Sequence, residues 1–193
     1  MKYSFYVANN QSAESCLNRI TFDSESKNGE VQLCDKLPQG VQFIAHNSVD
    51  KKVYAVIGSE KEDECILITY DYYQTKIHQI YQRRIKVHSA SYIYIDPTMR
   101  KAYLSDYLGS QFALIELDFK GIPKKGIQYF KLEGSGPVLE RQEKSHPHSI
   151  LIYKNNILFV PDLGSDCIWQ ILLEKDDSIG RTIENHVIPG SGP

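Results

Sequence analysis

The sequence predicts an all-β fold of the β-propeller type. Three observations carry that reading: short β-branched apolar runs, a turn-plus-aromatic unit that returns at a period near 50 residues, and further strand signals around each return. The recurring unit is Phe5-Tyr6-Val7-Ala8, Val53-Tyr54-Ala55-Val56, Ala102-Tyr103-Leu104-Ser105 and Leu158-Phe159-Val160-Pro161. Its aromatic positions, Tyr6, Tyr54, Tyr103 and Phe159, stand 48, 49 and 56 residues apart. In the last three copies a short polar turn precedes the unit, at residues 50–52, 97–101 and 154–156. A strand pattern lies ahead of it at 41–45, 90–95 and 148–152, and another follows at 17–22, 65–70, 112–117 and 166–171. Weaker outer strands are predicted at 31–33, 77–81, 127–130 and 184–188. Helices are disfavoured because the apolar runs are short and regularly broken by turn residues. A sandwich would space its strands similarly, but it does not require one turn–aromatic unit to return at a near-constant period.

The first copy has no strand ahead of Tyr6. In propellers the C-terminus often supplies that strand, yet here it reads Ile188-Pro189-Gly190-Ser191-Gly192-Pro193, a turn sequence. The expectation is therefore a single partial propeller domain over residues 1–193, about three and a half blades of four antiparallel strands, incomplete at the C-terminus. An open propeller of this kind exposes strand edges and apolar inter-blade faces, which favour self-association.

Composition narrows the class of function. With 22 basic residues against 24 acidic ones, the chain lacks the electrostatic footprint of nucleic-acid binding. Thirteen Tyr and seven Phe against two Met suit pleated strands. No apolar run is long enough to span a bilayer. The N-terminus has one Lys and a short apolar run ended by Asn9-Asn10, which is not a signal-peptide pattern, so a cytoplasmic location is expected. Cys16, Cys34, Cys65 and Cys167 form no CxxC pair and no zinc spacing, and reduced thiols are the expectation. Rossmann and P-loop patterns are absent, so no cofactor is expected.

The segment that carries chemistry runs from Gly134-Ser135-Gly136-Pro137 through Arg141-Gln142 to His146-Pro147-His148-Ser149, and on to Val160-Pro161-Asp162-Leu163-Gly164-Ser165-Asp166. Gly-Ser-Gly-Pro returns at residues 190–193, 56 residues after its first appearance. Pro147 biases His146 toward an extended conformation. In an extended segment His146 and His148 project from one face, and on a channel-lining strand both imidazoles would face its contents. A nearby guanidinium at Arg141 suits an anion. Ester hydrolysis needs a base that activates water and donors for the oxyanion, which this set could supply. Plainer readings stand beside these. The His-Pro-His run could cap backbone groups, Gly-Ser-Gly-Pro could be only a turn, and Asp162 and Asp166 could hold turns. A metal site of His146, His148 and Asp162 is a weaker alternative.

These residues resemble the lactonase family with a seven-bladed β-propeller fold, which includes 6-phosphogluconolactonases and 3-carboxy-cis,cis-muconate lactonizing enzymes. The matching elements are GSGP, RQ, HPHS, VPDLGSD and a second PGSGP. The resemblance implies a hydrolase opening a sugar-acid lactone, most simply 6-phosphogluconolactone to 6-phosphogluconate, with no metal. It implies His148 as the first choice for acid/base, His146 as the second, and Arg141 and Gln142 as substrate contacts. Muconate cyclisation is the alternative activity, and a non-catalytic propeller platform is the third reading. Two departures matter: Ile57-Gly58-Ser59-Glu60 replaces an expected Asn-Glu, and no Arg-His follows the second Gly-Ser-Gly-Pro. A chain with these departures carries part of the family's site and is expected to be weak or inactive alone.

Overall fold

Each recurrence of the aromatic unit folds as the second strand of a four-stranded meander, or as the first strand of a three-stranded one. The computed structural model describes residues 1–9, 15–73, 76–154 and 156–193. The predicted turn residue Asn155, and Asn10 beside Asn9, lie outside the described residues. Among the described residues all regular structure is β, and no helix is long and apolar enough to cross a membrane.

Two compact units divide the chain, Met1–Lys86 and Val87–Pro193. The first unit holds a three-stranded sheet of β1 (Lys2–Ala8), β2 (Ser15–Asp23) and β3 (Asn28–Leu37). It also holds a four-stranded sheet of β4 (Val41–Asn47), β5 (Lys52–Gly58), β6 (Cys65–Tyr73) and β7 (Lys76–Ile85). The second unit begins with a sheet of β8 (Ala90–Asp96), β9 (Lys101–Asp106), β10 (Gln111–Leu117) and β11 (Pro123–Lys131). Its other sheet comprises β12 (Leu151–Tyr153), β13 (Ile157–Asp162), β14 (Cys167–Leu173) and β15 (Ile179–His186). Neighbouring strands pair antiparallel in sequence order throughout.

Local chemistry fixes the hairpins. Asn47 Oδ1 accepts the amides of Val49 and Asp50, and Asp96 Oδ1 accepts those of Thr98 and Met99. These Asx turns lead to Lys51 and Arg100, whose φ values of 54° place both residues in the left-handed region. Lys154 takes the same kind of conformation, with φ 49°, in the β12–β13 hairpin. The β4–β5 and β8–β9 turns thus share one backbone solution, an Asx turn followed by a left-handed residue just before the next strand.

Apolar faces then pack sheet on sheet within each unit. In the first, Leu17 with Tyr6 and Ala8 meets Val53, Ala55, Ile57 and Ile68. In the second, Tyr103, Phe112 and Leu114 meet Ile150, Leu158, Val160, Trp169 and Ile171. Strand β14 shows the period-two pattern plainly, alternating buried and half-buried along its length. Cys65 and Cys167 are buried free thiols, and Cys16 and Cys34 are half-buried free thiols.

Two strands differ from the sequence expectation. The strand expected at 148–152 is ordered as β12 only over Leu151–Tyr153, because the preceding residues form a loop drawn onto Asp162, with Pro147 joined to Asp162 by an isolated bridge. Proline has no amide hydrogen to extend the ladder. The outer strand expected at 184–188 lies earlier, at Ile179–His186. Its end is set by Val187, whose amide leaves the ladder to bond the Asp166 carbonyl.

Candidate active site

The loop from Gly134 to Ser149 is held by two buried carboxylates at either end of one turn. Asp162 ends β13 and is fully buried. Its Oδ1 accepts the amides of His146 (2.6 Å), Gly164 (3.0 Å) and Ser165 (3.2 Å). Its Oδ2 accepts the hydroxyls of Ser145 (2.5 Å) and Ser165 (2.9 Å) and the indole N–H of Trp169 (2.8 Å). Six donors use the capacity of a carboxylate, so Asp162 holds the turn and has no lone pair to offer a metal. Among the described residues no group of three or more His, Cys, Asp or Glu is placed to hold a metal ion.

Asp166, at φ 49°, holds the two Gly-Ser-Gly-Pro loops together. It accepts the Gln142 side-chain amide on Oδ1 and the backbone amides of Gly190 and Gly192. Burial pushes its carboxyl up, but the Gly190, Gly192 and Gln142 donors outweigh that and leave it below its ordinary 3.8. Gln142 is 2% exposed, and its amide nitrogen also donates to the Leu163 carbonyl while its oxygen accepts the Val138 amide. Gln142 is therefore placed as an internal brace of the loop, its amide turned away from solvent. Arg141 begins the opposite behaviour: its backbone is tied in a turn to Val138, and its side chain is exposed. A depression of only about 30 Å³ lies between Arg141, Val138, Leu163 and the 190–192 loop.

The third sheet grips the same loop from the side. Ser110 Oγ donates to the Ser145 carbonyl, Lys144 Nζ to the Leu108 carbonyl, and Ser91 Oγ to the Pro147 carbonyl, all at 2.7–2.9 Å. Tyr107 joins the two histidines. Its ring stacks on His146 at 4.5 Å and 19°, and meets His148 edge-on at 5.8 Å and 88°. Both imidazoles contact the Tyr107 ring, but at different depths: His146 is buried and His148 exposed.

Hydrogen bonding separates their chemistry. His146 Nδ1 lies 2.9 Å from the Tyr107 carbonyl, and Nε2 lies 3.1 Å from the Glu143 carboxylate. Both ring nitrogens face an oxygen of the protein, so neither is open to water. This bond from His146 holds the Glu143 carboxyl below its ordinary 4.5. His148 is fixed by its backbone amide, which donates to the Pro161 carbonyl at 2.9 Å, while its ring faces solvent. Sequence reasoning missed Tyr107 and Glu143; the Asp-Tyr-Leu-Gly-Ser of residues 106–110, a looser echo of Asp162-Leu163-Gly164-Ser165, was the available signal for Tyr107.

The first unit has its own cleft, of about 480 Å³, lined by Tyr6, Arg19, Ile44, His46 and Tyr72 among others. It runs along β1, which among the described residues has no strand paired at the position that β4, β8 and β12 fill in the other sheets. His46 Nε2 lies 2.8 Å from the Tyr72 hydroxyl, and burial lowers the imidazole from its ordinary 6.5. None of the motif residues lines this cleft.

Successive antiparallel meanders, one of three strands and three of four, define a propeller-class protein. Comparison with known families assigns it further: residues 4–193 match the family described as Lactonase, 7-bladed beta-propeller, and the chain belongs to that family. A 6-phosphogluconolactonase of Formosa agariphila is 28% identical over 181 residues, covering 89% of this chain and 51% of that protein. The periplasmic gluconolactonase PpgL of Pseudomonas aeruginosa superposes with a TM-score of 0.79 at 17% identity, covering all of this chain and 57% of the other. A Lactobacillus plantarum protein superposes with a TM-score of 0.85, also at 17% identity, and is covered to 55%. The chain thus spans about half the length of these relatives.

Proposed function

We propose that the protein hydrolyses a sugar-acid lactone, with 6-phosphogluconolactone as the substrate, and that the loop bearing Arg141 and His148 forms one wall of its site. The observation that supports this most is the division of labour between the two histidines. His146 is immobilised by acceptors at both nitrogens, whereas His148 is presented to solvent on a backbone fixed by Pro161. The name of the Formosa relative supplies the substrate.

In this reading the His148 imidazole takes a proton from water as the water oxygen bonds to the lactone carbonyl carbon. Collapse of the tetrahedral intermediate breaks the bond to the ring oxygen, and the imidazolium returns its proton to that oxygen. The product acid then ionises, so each turnover releases one proton to solvent. Arg141 holds the phosphate, for which an exposed guanidinium fork is suited. His146 acts through position: stacked on Tyr107 and paired with Glu143, it keeps the ring against which His148 rests.

Proton release from 6-phosphogluconolactone, followed by pH-stat in the protein that carries these residues, tests the reading. Release above the spontaneous rate, with a raised KM in Arg141→Ala, is expected. No release, with cyclisation of a carboxymuconate in its place, would overturn it in favour of the lactonizing chemistry.

A further inference from the structure

Two turns from different sheets, each organised by a buried carboxylate, meet at one aromatic ring. On the third sheet Asp106 is fully buried; its Oδ1 accepts the amides of His88, Ser89 and Gly109, and its Oδ2 accepts the Gln111 side-chain amide. Tyr107 comes next, and its own amide donates to the Ser89 carbonyl at 2.8 Å. On the fourth sheet Asp162 holds the His146 amide, and the His148 amide donates to the Pro161 carbonyl. Bonds from Ser110 to the Ser145 carbonyl, from Lys144 to the Leu108 carbonyl and from Ser91 to the Pro147 carbonyl lace the two sheets together. Both backbones are thus tied down next to the histidines.

The Tyr107 side chain is fixed as well. His146 stacks on its ring at 4.5 Å, and His146 Nδ1 lies 2.9 Å from its carbonyl. Among the described residues the Tyr107 hydroxyl takes part in none of these contacts. His148 differs: it is exposed, its backbone is tied, and its imidazole meets the Tyr107 ring edge-on at 5.8 Å and 88°. Two rotatable bonds separate that imidazole from its fixed backbone, so several staggered rotamers compete. A base that takes a proton from water works only from the rotamer that reaches the water. An edge-on aromatic pair favours one rotamer by a factor of about 2 to 12.

We propose that Tyr107 is a positioning residue of the lactone site, its ring selecting the rotamer from which the His148 imidazole reaches the attacking water. The inference rests on the reading of His148 as the base. The ring acts and the hydroxyl does not, so the contact survives in Tyr107→Phe and is lost in Tyr107→Leu. Leucine fills much of the space but presents no aromatic edge or face to the imidazole. The third sheet, which holds neither histidine of the pair, thereby contributes to the site through Tyr107.

Steady-state hydrolysis of 6-phosphogluconolactone and histidine NMR, both on the protein that carries these residues, test the proposal. Histidine is labelled with carbon-13, and the His148 signal is identified by its loss in His148→Gln. In Tyr107→Leu, kcat is expected to fall about 5- to 10-fold with KM within about twofold, and the His148 ring signal to lose its ring-current shift. Tyr107→Phe is expected to retain kcat within about twofold and to keep that shift. Far-UV circular dichroism reports folding, and Tyr107→Met replaces Tyr107→Leu if the latter does not fold. Wild-type kcat or an unchanged His148 signal in Tyr107→Leu, an equal loss of kcat in Tyr107→Phe, or a raised KM at unchanged kcat would each overturn the proposal. If the wild-type protein hydrolyses no lactone, the lactonase reading fails separately, and the His148 signal decides alone. A shift lost in Tyr107→Leu and kept in Tyr107→Phe then upholds Tyr107 as the residue that orients His148, and an unchanged shift overturns it.

Discussion

The second sheet and the fourth solve the end of their second strand differently, and the difference bears on the loop proposed to carry the chemistry. In the fourth sheet the last residue of β13 is Asp162, paired in register with Cys167; in the third it is Asp106, paired with Gln111. The corresponding residue of the second sheet is Gly58, paired with Cys65. Asp106 Oδ1 accepts the amides of His88, Ser89 and Gly109, and Asp162 gathers six donors. Gly58 offers one amide to the Gly40 carbonyl and nothing more from a side chain. A carboxylate at this position organises the loop that leads into the sheet, and a glycine leaves that loop to backbone bonding. Of these three positions, the one beside the proposed site has the most heavily used carboxylate.

Substitutions graded along this series sharpen or break the comparison. Asp162→Ala is expected to have the largest effect, because it strands buried donors from Ser145, His146, Ser165 and Trp169. A loss of about 4 kcal/mol follows from roughly 1–3 kcal/mol per unsatisfied buried group, partly relieved by rehydration. Chemical denaturation and amide exchange at His146 and Gly164 would report it. Gly164→Ala comes next, at about 3 kcal/mol, since a Cβ there would lie 1.7 Å from the Lys144 carbonyl oxygen and backbone would have to move. Asp106→Ala should cost about 2 kcal/mol, as it frees fewer donors. Gly58→Ala should fall within about 1 kcal/mol of the wild-type stability, because the nearest atom to its Cβ is 3.9 Å away. A large loss at Gly58 would break the comparison.

A smaller effect concerns acid. Asp166 and Glu143 are held below their ordinary 3.8 and 4.5 in the folded protein. A folded value below the unfolded one contributes stability that is present above the unfolded value and disappears as pH falls through the folded one. Acid titration of the second unit should therefore show a stability loss beginning below about pH 4.5. Asp166→Asn is expected to flatten that limb, as followed by tryptophan fluorescence of Trp169.

Much of this was legible in the sequence, for reasons that also explain what was not. The inner strands announce themselves because both faces are apolar, as in β5, and the aromatic unit fixes their period. The outer strand β15 is Ile179–His186, whose residues are mostly polar and exposed, so its register had no apolar pattern to reveal it. The motif residues were visible as types, but their roles depend on partners far along the chain. Gln142 reads as a substrate contact until Asp166, 24 residues later, is seen to take its amide. The sequence ranks His148 ahead of His146 only through a resemblance, and the physical difference, Glu143 and the carbonyl of Tyr107 occupying the His146 ring, is seen only in the structure. Spacing cannot report which side chain turns inward.

The central claim is that His148, and not His146, exchanges the proton in lactone opening. The direct measurement is kcat and KM for 6-phosphogluconolactone in His148→Ala and His148→Gln, with stability measured in parallel. The account predicts a fall of about 10² or more in kcat, typical of a lost general base, with KM and stability little changed. Wild-type kcat in both variants would contradict it.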